Sequence, residues 1–128
     1  MDLASLAHER LVGVTVSQFV HGAAAPEVIE VWLHLESLTV GVRVAADWSF
    51  HITPCEPGES YVMEELGSRV DVVSAPEGVP FERHIGERLI RGVERFDEEE
   101  GTERVGAEFV FESGIVVAES FGGDLRLT

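Results

Sequence analysis

From Val28 to Glu36 the chain alternates without a break. Ile29, Val31, Leu33 and Leu35 fall on one side, and Glu30, Trp32, His34 and Glu36 on the other. A strand points successive side chains to opposite faces, so this segment is expected to be a strand with one face in a core and one facing water or a partner. A helix would instead repeat its apolar residues at every third and fourth position.

The same period runs through much of the chain. Val12, Val14 and Val16 alternate with Gly13, Thr15 and Ser17; Val40, Val42 and Val44 follow a tight Ser37-Leu38-Thr39 connection; Trp48, Phe50 and Ile52 come next. The three runs that start at Val28, Val40 and Trp48 form an antiparallel meander. The second half has candidate strands at 85–93, 105–113, 115–120 and 125–127. On the strand 105–113, Ala107, Phe109 and Phe111 oppose Glu108, Val110 and Glu112. Pro26, the Pro54–Gly58 stretch and the 75–80 stretch read as loops. Helix signals are confined to residues 2–9, where Leu3, Leu6 and Ala7 share a face behind Asp2, and to 60–66, with Ser60 as N-cap and Gly67 past the end.

The halves echo one another. Val12-Gly13, the Leu33–Ser37 stretch and the Ala45–Phe50 stretch recur in order as Ile85-Gly86, Phe109–Ser113 and Gly122–Leu127. The expected fold is therefore α+β and predominantly β: two similar antiparallel meanders forming a sandwich or barrel, with a short N-terminal helix. Residues 1–128 read as a single domain, with 11–52 and 84–128 as duplicated halves linked by 53–83. The expected core includes Val14, Val31, Leu33, Leu35, Val42, Phe50, Leu89, Phe109, Phe111, Ile115 and Leu125.

Charge narrows the partners. The formal net charge is −15, every basic residue is arginine, and there is no lysine or asparagine. Nucleic acid and anionic membrane surfaces need a basic footprint, so neither is expected as a partner. A basic protein is, because complementary charge speeds its encounter. Arginine without lysine, amid abundant Ala, Val, Gly and Glu, suggests a GC-rich bacterial source. No apolar run is long enough to span a bilayer, and Met1–Arg10 lacks the pattern of a signal peptide. The single cysteine, Cys55, excludes an internal disulfide. A cytoplasmic location is expected.

Catalytic signals are weak. No nucleophile elbow, P-loop, Rossmann glycine pattern or zincin motif is present. Cys55 lies among Glu56 and Glu59, which oppose thiolate formation. His34 and His51 share the outer face of the meander, but without metal-ligand spacing they read as surface histidines. No metal or cofactor is expected. Asp97, Glu98, Glu99 and Glu100 before Gly101 miss calcium-loop spacing and read as a solvated acidic turn.

The most informative candidate is Trp32, on the polar face between Glu30 and His34, since Trp and Arg dominate binding hot spots. With Glu30, His34, Glu36, Arg43 and His51 it forms a candidate interface, and Asp97–Glu100 an acidic rim. The meander, the Glu112-Ser113-Gly114 hairpin and the Gly122-Gly123-Asp124 end resemble small acidic strand-rich bacterial domains: immunity proteins of polymorphic-toxin systems and strand-rich actinobacterial domains. That resemblance implies a non-enzymatic protein-binding module that neutralises a basic toxin. Two alternatives stand beside it. One is a small-molecule binder or minor enzyme with a pocket between the halves, lined by Trp48, Phe50 and Phe111 with a buried Asp47 or Asp124. The other is a homodimer that pairs exposed strand edges.

Overall fold

The computed structural model describes residues 2–99 and 101–128. The alternating segments pair as two antiparallel sheets. The first contains β1 (Leu11–His21), β2 (Glu27–Leu35), β3 (Thr39–Val44), β4 (Phe50–Pro54), β5 (Tyr61–Met63) and β6 (Ser68–Ser74), in the order β4-β3-β2-β1-β6-β5. The second contains β7 (Leu89–Phe96), β8 (Arg104–Phe111), β9 (Gly114–Phe121) and β10 (Asp124–Leu127), in the order β10-β9-β8-β7. Val31, Leu33 and Leu35 from the first sheet and Ala107, Phe109 and Phe111 from the second belong to one buried cluster. Among the described residues no helix is long and apolar enough to cross a membrane.

Turn chemistry follows the residues available. Phe121 pairs with Asp124 across Gly122 and Gly123, both at positive φ, which is the conformation a two-residue hairpin needs. At the acidic turn the Asp97 carboxylate accepts from the amides of Thr102 and Glu103, and Gly101 supplies a positive φ. Glu100 lies outside the described residues.

The two halves repeat a hydrogen-bond arrangement that no single strand pattern reveals. Segments 8–11 and 86–89 lie antiparallel, with Arg10 bridged to Arg88. The His8 amide donates to the Leu89 carbonyl, and the Gly86 amide to the Leu11 carbonyl. Leu89 donates to Glu9, and Leu11 to Glu87. The Arg10 guanidinium donates to the Gly86 carbonyl, and that of Arg88 to the His8 carbonyl. His8 and Gly86 both adopt positive φ, at 71° and 95°. These bonds exchange pairwise, as around a two-fold axis between Arg10 and Arg88.

Each long hairpin is latched the same way. Glu36 accepts from the Arg10 amide at 3.0 Å, and Glu112 from the Arg88 amide at 2.7 Å. Glu9 accepts from the Ser37 amide and Glu87 from the Ser113 amide, each at 2.9 Å. Both hairpins carry a register shift just past the leading leucine: Leu11 pairs with Leu35 and then Gly13 with His34, while Leu89 pairs with Phe111 and then Arg91 with Val110. The register thus makes Leu11, not Val12, the counterpart that leads each half, opposite Leu89 rather than Ile85. Pairing of Val44 with Phe50 and of Ser120 with Leu125 makes Phe50, not Trp48, the counterpart of Leu125.

The latches carry a pH signature. The Ser37 hydroxyl, then its amide, holds the Glu9 carboxyl below the usual glutamate value against a small burial penalty. Burial pushes Glu87 upward, but the Ser113 hydroxyl and amide, together with His84, outweigh it and leave Glu87 lowered as well. Carboxylates lowered in the fold add stability that is complete above their unfolded value and lost as pH falls through the folded one. The double variant Glu9→Gln, Glu87→Gln keeps an acceptor oxygen but removes the charge. Its stability is expected to vary less with pH than wild type below pH 4.5, as read by urea unfolding across acidic buffers. An unchanged acid limb would show that the latches contribute nothing.

Several sequence expectations need correction. The N-terminal helix is a single 3-10 turn, Leu3–Leu6, capped by the Asp2 carboxylate on the Ala4 amide. It stops there because residues 8–11 are drawn straight by pairing with 86–89. Ser60 caps no helix: its hydroxyl accepts from the Val72 amide, Tyr61–Met63 is strand, and only Glu64–Leu66 makes a turn before Gly67. The strand expected from Ile85 starts at Leu89, because 85–88 belong to the inter-half pairing. Ile115 is 50% exposed, since it sits opposite Val110 on the outer face and Val116 takes the core position.

Candidate functional site

The expected interface does not form one open patch. Trp32 is 4% exposed: it and Cys55 Sγ crowd the space above Gly41, where an added Cβ would lie 3.2 Å from Trp32 Nε1. Segment 55–61 runs over this outer face, with Gly58, Glu59 and Tyr61 beside Trp32. Trp32 is therefore not a free anchor. His34 has both ring nitrogens engaged, Nε2 with the Thr15 hydroxyl at 2.7 Å and Nδ1 with that of Thr39 at 3.0 Å. Glu36 is spent on the Arg10 amide and faces Arg88 at 3.8 Å. Glu30, Trp32 and Arg43 come together around a cavity of about 310 Å3, and His51 stands opposite Arg43 on β4. Asp97, Glu98 and Glu99 lie in the β7–β8 turn, apart from that group. Among the described residues no three His, Cys, Asp or Glu side chains are placed to hold a metal ion.

A larger cleft, about 550 Å3, opens where the β3–β4 corner meets the ends of β7 and β8. One wall carries Asp47, Trp48, Ser49, Phe50 and His51; the other carries Glu94, Phe96, Glu103 and Arg104. Of the residues expected in a pocket between the halves, Trp48 and Phe50 are here. Phe111 is not, because it is a buried core residue. Asp47 is here but exposed, and Asp124 is absent from the lining.

Trp48 is the unusual residue. It adopts φ 71°, a conformation that costs a bulky side chain energy, and it remains 66% exposed. Its carbonyl accepts from the Ser120 hydroxyl at 2.9 Å. Its indole edge sits so close to Gly123 that a Cβ there would lie 2.7 Å from Nε1. The second sheet thus holds the tryptophan in place while leaving it open to solvent. Phe96, across the cleft, is 45% exposed.

Polar groups surround the two rings. The Ser49 hydroxyl donates to Asp47, and His51 Nε2 lies 2.7 Å from the same oxygen. With the Ser49 proton committed to Asp47, His51 must donate its own Nε2–H to Ser49. That order is the reverse of a hydrolytic triad, in which histidine accepts the serine proton and the carboxylate orients the histidine. The Ser49 hydroxyl and amide hold the Asp47 carboxyl below its usual value, against a small burial penalty and with His51 adding slightly. Asp47 is therefore a fixed negative charge rather than a base. Glu94 and Arg104 pair at 3.0 Å, and Glu103 adds another carboxylate. Phe96, Glu94, Glu103 and Arg104 are partners of Trp48 in this cleft that the sequence pattern does not mark. Their one signal is local, the β7–β8 hairpin, and nothing in it points to the β3–β4 corner.

Scans against protein-family models, curated proteins and solved structures each find no match for this chain.

Proposed function

We propose that this protein is a non-enzymatic binding module that seats a cationic side chain of a basic protein partner in the Trp48–Phe96 cleft. The observation that carries this reading is Trp48, held in a strained backbone conformation yet exposed beside carboxylates. A ring face attracts an ammonium or guanidinium ion, and nearby carboxylates complete the pairing. The net charge of −15 favours the same class of partner. The two sheets, closed over their shared core as a sandwich, supply the rigid support such a contact needs. An immunity protein that blocks a basic toxin is the biological role to which this reading extends.

The test is a fluorescence titration with a blocked tripeptide, acetyl-Gly-Arg-Gly-amide, and its citrulline isostere. Arginine is expected to bind about tenfold more tightly than citrulline, and Trp48→Ala to remove that preference, the equivalent of about 1.4 kcal/mol. The preference should shrink with added salt. Equal binding of the two peptides would refute the cationic reading, and an unchanged preference in Trp48→Ala would refute the placement.

A further inference from the structure

The 310 Å3 cavity beneath segment 55–61 shares no lining residue with the cleft, and its chemistry differs. It is lined on the sheet side by Glu30, Trp32, Arg43 and Val70, and on the covering side by Glu59 and Tyr61. Glu30 and Arg43 stand directly opposite one another on β2 and β3. Cross-strand neighbours of opposite charge normally close on each other, yet no ion pair joins these two, and among the described residues no other carboxylate closes on Arg43 within ion-pair distance. Glu30 is partly stripped of water, and burial pushes its carboxyl above the usual glutamate value against the pull of Arg43. Trp32 lines the cavity, while its buried indole N–H lies over Gly41, which does not line it.

We propose that this cavity binds a small zwitterion of amino-acid size, its carboxylate on Arg43 and its ammonium on Glu30, with its side chain against Trp32 and Val70. The sign pattern selects the class. An anion satisfies Arg43 but meets Glu30 and Glu59, a cation satisfies the carboxylates but meets Arg43, and a neutral ligand leaves Glu30 uncompensated where it is partly stripped of water. The volume lies at the lower end of the range for small-molecule pockets, about 300–1,000 Å3. Segment 55–61 covers the site: the Cys55 amide donates to the Thr39 carbonyl, and the Ser60 hydroxyl accepts from the Val72 amide. The covering chain is thus tied down at both ends.

The test is calorimetry on the full chain with L-leucine and L-phenylalanine, beside isocaproate and isoamylamine, which are leucine without its amine and without its carboxylate. At least one amino acid is expected to bind, and both single-charge analogues at least about tenfold more weakly. Arg43→Gln and Glu30→Gln should each cost about tenfold, with Arg43→Lys restoring part of the loss. Thermal unfolding of each variant separates lost binding from lost fold. The proposal is overturned if neither amino acid saturates the protein at about 10 mM, if an analogue matches leucine, or if folded Arg43→Gln binds as wild type does. The arginine-peptide titration reports on the other site and can fail or succeed independently.

Discussion

Replacing Phe109 with alanine is expected to lower the unfolding free energy by about 3–5 kcal/mol. Phe109 is fully buried on β8 and meets Phe81 edge to face, with ring centroids 5.2 Å apart. Phe81 in turn meets Phe111 at 6.2 Å, so the cavity left by the substitution would lie under a connected aromatic group. Phe109 itself sits on a strand laddered on both sides, so the backbone around the cavity can relax little. Equilibrium urea unfolding reads this as a lower midpoint with unchanged slope. A loss below about 1 kcal/mol would mean that the two sheets do not share the core described here.

Gly106→Val is expected to cost about 3 kcal/mol through overpacking of the second sheet. A Cβ at position 106 would lie 2.7 Å from the Ala118 carbonyl oxygen and 3.0 Å from the Glu119 Cβ. The first of these is backbone of the neighbouring strand, so β8 and β9 would have to separate where Gly106 pairs with Glu119. The missing side chain also leaves room on the outer face. Arg95 on β7 reaches within 3.8 Å of Glu119 on β9, two strands away, and Glu119 also pairs with Arg126 on β10. Amide exchange of β9 should accelerate in the variant along with global destabilisation. A neutral substitution would show that the strands have slack at this point.

The parts of this fold that were legible are those written in local alternation. Val31, Leu33 and Leu35, and Ala107, Phe109 and Phe111, announce their core face because successive strand side chains must part company. The Glu112-Ser113-Gly114 hairpin was legible as well, and it joins β8 to β9 where Phe111 pairs with Gly114. What was hidden depends on contacts between distant segments. Residues 2–9 have a helical pattern, but pairing of 8–11 with 86–89 overrides it after one turn. The polar residues around Trp32 suggested an open face, and the irregular segment around Pro57 covers it. Segment 55–61 has no periodicity from which such a docking could be read. The cleft was half legible: Trp48, Phe50 and Asp47 lie together in the chain, whereas Glu94, Phe96, Glu103 and Arg104 come from the other sheet, far away in sequence.

The two tryptophans make the cleft directly observable, because one is buried and the other exposed. The deciding measurement is a proton–nitrogen NMR titration with acetyl-Gly-Arg-Gly-amide, following the two indole N–H signals, assigned with Trp48→Phe. The Trp48 indole signal and the backbone amides of Ser49, His51, Phe96 and Arg104 are expected to shift together along one binding curve, while the Trp32 signal stays in place. A Trp48 signal that does not move, with shifts instead spread over Glu56, Glu59 and the 97–99 turn, would mean that the arginine is held by diffuse acidic charge and that the cleft is not the binding site.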